Sequence, residues 1–204
     1  MPLTFSLADD FDKSLAEAKQ VLKDGGILVY PTDTLYGLGC DATSKAAVEK
    51  IYSLKERDRG KPLSIIVSDY AMLLEYCEVS SSQEKILHAL LPGPYTFILQ
   101  LRKPIPASPN LTIGVRVPEH IFMRQVSKEL NMPIVSTSAN ISGQKDAAEL
   151  KEIDKTIASS SSLLIDGGKC LYGTGSTVID LQNMKILRKG AVKKGDKFEF
   201  AEGD

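Results

Sequence analysis

Apolar positions along the chain change period several times, and each change predicts an element. Phe11, Leu15, Ala18 and Leu22 recur at helical spacing, and the run stops at Gly25-Gly26, a helix-ending signal. "ILVY" (27–30) is a short apolar run closed by Pro31 and reads as a buried strand. "SKAAVEKIYSLK" predicts a second helix, with Ser44 as N-cap and Val48, Ile51 and Tyr52 or Leu54 facing inward. "LSIIV" (63–67) is the next strand. "DYAMLLEYC" and "SSQEKILHALL" read as helices, the second stopped by Pro92-Gly93-Pro94. In "YTFILQLR" (95–102), Tyr95, Phe97, Leu99 and Leu101 alternate with the period of two of a half-buried strand, and "LTIGVRV" (111–117) alternates as well. "EHIFMRQVSKEL" is a helix, "PIVST" (133–137) a strand and "DAAELKEIDKTI" a helix. "LLID" (163–166), "STVIDL" (176–181) and "KILRK" (185–189) are strands, the last two joined by a tight turn at Gln182-Asn183.

Helices and strands are thus interleaved, with no repeat and no long linker. "ASSSS" (158–162) is the only low-complexity stretch and is too short for a domain boundary. The reading is one α/β domain over residues 1–204, with a twisted mixed sheet flanked by helices. The charged tail from Gly190 is expected to be loose.

Composition narrows the class. The 204 residues carry 25 Lys+Arg against 26 Asp+Glu, a formal net charge of −1, and 43% are hydrophobic. That suffices for one sizeable core. A mean hydropathy of −0.08 and the lack of any apolar run near 18 residues argue against a membrane span. The start, "MPLTFSLADDFDK", has no basic region and acquires acids early, so it does not read as a signal peptide. Cys40, Cys77 and Cys170 are odd in number and far apart, which suggests a reducing, cytoplasmic setting. With only His88 and His120 beside them, no metal site is expected. Near-neutral charge argues against general coating of nucleic acid and leaves a local basic patch open.

Four polar segments lie where elements end: "PTDTLYGLGCDA", "KERDRGKP", "STSANISG" and "YGTGST". Ends of neighbouring strands in α/β sheets converge on one crevice. Backbone N–H groups, hydroxyls and cations gathered there would suit a polyphosphate. "KERDRGKP" places Lys55, Arg57, Arg59 and Lys61 within seven residues; they serve either an anion or a solvated helix end, where positive charge is favourable. "GLGCDA" matches G-x-G-x-x-A, but Pro31 to Tyr36 separate it from the strand. Its glycines therefore read as a turn rather than a dinucleotide fingerprint. Ser136, Thr137, Ser138 and Asn140 either cap a following helix or hold a ligand. Alternation along "LTIGVRV" puts Thr112, Gly114 and Arg116 on one face and Leu111, Ile113, Val115 and Val117 on the other. An Arg in mid-strand needs either an anionic ligand or an acid partner. His88 and His120 read as ordinary helix residues. Lys185, Arg188, Lys189, Lys193, Lys194 and Lys197 read as a solvated basic end.

Together, "PTDTLYGLG", "LKERDRGKPL", "LLPGPYTFIL", "TIGVRVPEH", "PIVSTSANISG", "IDGG", "GTGSTVID" and "ILRKG" occur in the order of the YrdC-like family, and the resemblance runs from about Val29 to Gly190. It implies a YrdC-like α/β fold with a basic concave cavity. The implied reaction turns L-threonine, bicarbonate and ATP into threonylcarbamoyl-adenylate and pyrophosphate, for tRNA modification next to the anticodon. A separate threonylcarbamoyl transferase would act downstream. Mg²⁺ would be carried with ATP. The family's K-x-R plus S-x-N signature falls on Lys55, Arg57, Ser138 and Asn140, implied as the catalytic set. ATP contacts are implied at these four and at Lys61, Thr112 and Arg188. For the threonine carboxylate the candidate is Arg116, whose fork makes two parallel hydrogen bonds. Thr34, Ser136 and Ser176 would supply hydroxyls, with Thr32 in reserve. Lys61 and Ile66 stand where some relatives carry Asn and His. The chain resembles the short form of the family. Two rival readings differ in class. One is a non-catalytic RNA-binding module using the same cavity. The other is a carbamoyl-transfer domain of hydrogenase maturation, which sits within much longer chains with clustered cysteines.

Overall fold

The computed structural model describes residues 2–108, 110–196 and 200–202. The elements are β1 (Leu3–Ser6), α1 (Phe11–Lys23), β2 (Leu28–Tyr30), β3 (Gly37–Gly39), α2 (Lys45–Leu54), β4 (Ser64–Ile66), α3 (Tyr70–Tyr76), β5 (Cys77–Glu78) and α4 (Ser81–Leu90). They continue with β6 (Tyr95–Leu101), β7 (Thr112–Arg116), α5 (Ile121–Leu130), β8 (Ile134–Ser138), α6 (Lys155–Ser160), β9 (Leu163–Asp166), β10 (Thr177–Asp180), β11 (Lys185–Arg188) and β12 (Ala201–Glu202). The strands form one mixed sheet in the order β1-β9-β2-β3-β8-β4-β7-β6-β10-β11-β12, with β5 beside β6. Parallel pairs such as β4–β7 and β6–β10 sit next to antiparallel ones such as β4–β8 and β6–β7. No described helix is long and apolar enough to cross a membrane.

Local chemistry explains the boundaries. Side chains of Asp10, Ser44, Asp69 and Asp154 accept from backbone N–H groups in the first turns of α1, α2, α3 and α6. Ser80 and Gln83 form a reciprocal capping box on α4. His120 caps α5 through Nδ1. Burial pulls the His120 pKa below its ordinary value, which favours the neutral ring that can accept that bond.

Two expected elements are corrected. "DAAELKEIDKTI" is not one helix: a short 3₁₀ turn at Leu150–Glu152 precedes α6, with Ile153 extended between them. Asp154 restarts the helix as an N-cap, so its carboxylate competes with a continuous ladder. "GLG" is not a turn but β3, a central strand paired to β2 and β8. A Cβ on Gly37 would lie 2.7 Å from the Tyr30 ring, and one on Gly39 would lie 2.5 Å from the Val135 oxygen. Tyr30 covers the space that side chains on β3 would have filled. The tail is also less loose than expected. Ala191 N donates to Gly175 O, and the Tyr95 hydroxyl meets Asp196 Oδ2 at 2.5 Å. Lys193 pairs with Glu119. Lys197 lies outside the described residues.

One side chain per two residues faces each side of a strand. One face packs into the larger core, with Ile51, Leu73, Leu87, Phe97, Leu99 and Ile113. The other is divided. At one end α1 and α5 bring Leu15, Leu22, Phe122 and Val126 onto Leu28, Ile66, Ile134 and Ile165. Two residues along the same strands the positions become Ser64 and Ser136, and on neighbouring strands Thr96 and Gly114. A covering helix gains roughly 1.5–3 kcal/mol per large apolar side chain it buries and almost nothing over serine and glycine. That part of the face stays open, and the site lies there.

Candidate active site

The open face is the floor of a cavity of about 290 Å³. Ser64, Thr96, Arg116, Ser136 and Ser138 rise from the strands. Thr32 and Thr34 enter from the β2–β3 loop, Arg57 from the loop after α2, and Gly175 and Ser176 from the segment before β10. Arg188 and Asp146 complete the charged lining. Three arginines and one aspartate thus face one cavity, with a second aspartate, Asp33, directly behind.

Arg116 has the acid partner that a mid-strand Arg requires, and it also faces the cavity. Its Nη2 donates to Asp33 Oδ1 at 2.9 Å and to Thr34 Oγ1 at 2.9 Å. The pair is deeply buried, with side-chain exposures of 9% and 2%. Asp33 Oδ2 accepts from Glu119 N at 2.9 Å. The Arg116 Nε is buried without a partner.

The two threonines have different tasks. Thr32 Oγ1 donates to Leu35 O at 2.7 Å and accepts from the backbone N–H groups of Thr34 and Leu35. Its single proton is thereby used, so the Thr34 hydroxyl, 3.0 Å away, donates to it and accepts from Arg116. Thr32 builds the turn and Thr34 presents to the cavity.

The K-x-R and S-x-N signatures meet in space. Lys55 is buried, and its ammonium donates to the main-chain oxygens of Ser138 and Asn140 and to Asn140 Oδ1. Desolvation pulls its pKa to about 8, with Arg57 adding to the shift and Asp146 opposing it. Ser138 Oγ donates to Asn140 Oδ1, and Asn140 Nδ2 donates to Gln144 O and Asp146 Oδ1. No helix follows this turn, so the capping alternative for Ser136 to Asn140 is not what these residues do. Ser136 and Ser138 line the cavity, while Lys55 and Asn140 stand behind it and shape its wall.

Of the four cations of "KERDRGKP", Arg57 alone lines the cavity. It donates from Nε to Lys61 O and from Nη2 to Pro62 O, which fixes its own loop. Arg59 is exposed and paired to Glu49 at 2.9 Å. Lys61 is exposed and contributes its carbonyl, which also accepts from the Tyr52 hydroxyl. Thr112, at the start of β7, is not among the lining residues. Ile66 is fully buried under α1 and α5.

Arg188 leaves the solvated basic end in which it was grouped. It donates from Nε and Nη2 to Ser176 O and from Nη2 to Ser176 Oγ. Ser176 Oγ also lies 2.7 Å from Thr96 Oγ1. Residues expected in separate threonine and nucleotide subsites, Ser176 and Arg188, therefore form one shared wall.

Sequence reasoning missed Asp33, Ser64, Thr96 and Asp146. Asp33 had a signal: an acid inside "PTDTLYG", where both neighbours and the following strand bury. Ser64 and Thr96 are hydroxyls at alternate positions of apolar strands. Asp146 had none, because its place depends on the irregular path of residues 141–149.

An α/β sheet with one face left open as an arginine- and hydroxyl-lined cavity defines a protein built to hold small anionic ligands. The chain belongs to the Sua5/YciO/YrdC family, whose model, described as "Telomere recombination", matches residues 20–190. It is 37% identical over 186 residues to the "Putative threonylcarbamoyl-AMP synthase" of Methanocaldococcus jannaschii, covering 88% of this chain and 87% of that protein. It is also 37% identical over 192 residues to the human threonylcarbamoyl-AMP synthase, covering 87% of this chain and 67% of the human protein. The structure of P. abyssi Sua5 complexed with L-threonine superposes with a TM-score of 0.83 at 28% identity, over 93% of this chain. The chain spans 57% of the length of that protein.

Proposed function

We propose that this chain forms L-threonylcarbamoyl-adenylate and pyrophosphate from L-threonine, bicarbonate and ATP, and so supplies the threonylcarbamoyladenosine modification of tRNA. The observation that carries the reading is the cavity itself. It offers the largely buried Arg116 beside Thr34 and Ser136, and Arg57, Arg188 and Ser138 within the same 290 Å³. A carboxylate and a polyphosphate are the anions such donors suit. The relatives named for this activity share its family and most of its length.

The chemistry asks for positioning. The threonine amine and bicarbonate condense to a carbamate and release water. A carbamate oxygen attacks the α-phosphorus of ATP, and pyrophosphate leaves. The carbamate is already a nucleophile, so no side chain has to be activated to attack. Arg116 fixes the carboxylate, Thr34 and Ser136 read the side chain and amine, and Arg57 and Arg188 offset charge on the phosphates. Two anions held close with preorganised donors account for the acceleration. Mg²⁺ would arrive on the ATP phosphates and supply further charge neutralisation. Among the described lining residues Asp146 is the one carboxylate and would be the group to meet it, since Asp33 is committed to Arg116. tRNA and the downstream transferase complete the proposed setting.

The test is incubation with ATP, threonine and bicarbonate, following pyrophosphate and the adenylate by mass spectrometry. Product that requires all three substrates supports the proposal. Salt-sensitive RNA binding without pyrophosphate release would favour the non-catalytic alternative.

A further inference from the structure

Arg116 has more donors than its known partners use. Asp33 and Thr34 both take Nη2. Among the described residues, Nε is the one buried side-chain nitrogen or oxygen without a partner. An unpaired buried N–H is costly, and a side chain nine-tenths buried cannot turn that donor to bulk water. The orientation is imposed from behind. Asp33 is itself fixed at its second oxygen by Glu119 N, and Glu119 is tied to Tyr172 and Lys193. The acid cannot follow the arginine if the guanidinium rotates.

We propose that Asp33 is a positioning residue for the substrate carboxylate. By holding Arg116 through Nη2, it fixes which part of the guanidinium faces the cavity and the anion within it. This rests on the threonine-using function proposed above. Asp33 touches no substrate atom. It selects which edge of Arg116 does, and its charge makes the Arg116 pair neutral overall. The site then recognises a carboxylate by donor geometry rather than by net positive charge. Asn at position 33 keeps the shape and one acceptor. It also turns an N–H toward either Arg116 or Glu119 N, so one of the two contacts is lost.

The experiment uses the full chain with ¹⁵N-labelled arginine. The Arg116 Nε–H signal is assigned by its absence in Arg116→Lys, and threonine and ATP affinities are measured separately by calorimetry. Threonine should shift the Arg116 Nε–H signal in the wild type. Asp33→Asn should weaken threonine binding by about tenfold or more while ATP binding stays within about twofold, because one oriented charge-assisted contact is lost. If Asp33→Asn does not fold, Asp33→Glu keeps the charge but displaces the carboxylate by one methylene, and should weaken threonine selectively. Threonine binding that leaves the Nε–H signal unmoved overturns the inference, as does an equal loss of both ligands or of neither. A wild-type chain that binds no threonine and releases no pyrophosphate overturns the proposed function itself, and is recognised before any variant is made.

Discussion

The ammonium of Lys55 meets Asn140 twice, at 2.6 Å from its main-chain oxygen and 3.2 Å from Oδ1. With the Ser138 oxygen as third acceptor, all three of its protons are used within the turn. In the proposed function, the lysine of the K-x-R signature would act on ATP only through the shape of the wall. Lys55→Met should leave the Asn140 main-chain oxygen without its donor, while Ser138 O keeps Asn140 N and Asn140 Oδ1 keeps Ser138 Oγ. Urea unfolding should show a loss of about 1–3 kcal/mol, and ATP affinity should fall with it. Unchanged stability would place the ammonium elsewhere.

The same lysine gives a pH signature. Burial lowers its pKa from 10.5 to about 8. Between these values the unfolded chain holds a proton that the folded chain has released, so this group's contribution to stability rises with pH across that window. Below pH 8 both states are protonated and the slope vanishes. Wild type should therefore gain stability relative to Lys55→Met from pH 8 to 10.5. A gap that narrows instead would mean that the three oxygens outweigh desolvation.

Gly39 is required by space. A Cβ there would lie 2.5 Å from the Val135 oxygen and 2.7 Å from Tyr30 Cε1. Backbone in a central strand cannot move away, so Gly39→Ala should cost roughly 1–3 kcal/mol. Gly60→Ala is the comparison. Its Cβ would meet nothing nearer than Asp58 Oδ1 at 3.4 Å, and its melting temperature should stay close to wild type.

These two residues also show what could be read in advance. Helices with strong caps and regular apolar spacing, such as α1 and α2, were legible because local chemistry and tertiary packing agree on them. β3 was not, since its glycines look like a turn until the Tyr30 ring is seen lying over them. The third polar segment was legible as a polar stretch gathered at a strand end, and the structure puts it in the cavity wall, but the division of labour within it was not legible. Ser138 faces the cavity while Asn140 and Lys55 stand behind, and alternation in sequence does not continue through a turn. Arg116 was found from the pleat alone, whereas its partner Asp33 comes from a loop 83 residues away.

The cysteines should be silent. Cys40 and Cys77 are fully buried and Cys170 is 4% exposed. Desolvation pushes the first two thiols up to about 12 and the third to about 11. The thiolate is the reactive form, so a disulfide reagent such as DTNB at pH 8 should label none in the native protein and all three after denaturation. Rapid labelling of Cys170 in the native state would show that the 169–173 loop opens.

Substrate discrimination offers the sharpest separation of roles within the cavity. If Thr34 and Ser136 hydrogen-bond the threonine hydroxyl, valine fills the same volume but makes none of those contacts in a pocket shaped around them. Such sites reject the isostere far more strongly than an apolar pocket rejects one methylene, and the turnover ratio should be on the order of 100-fold or more. Serine keeps the hydroxyl and loses only a methyl group, so it should be partly accepted. The arginines should divide the kinetics. Arg116→Lys keeps the charge but loses the fork, so it should raise the threonine KM far more than the ATP KM. Arg57→Ala removes a donor from the nucleotide side and should cost ATP binding about 1.5–3 kcal/mol, with threonine little affected. Pyrophosphate release, measured with each substrate varied in turn, reads both. If Arg116→Lys damages ATP use alone, Arg116 belongs to the nucleotide. The shared wall of Ser176 and Arg188 would then mark where threonine sits.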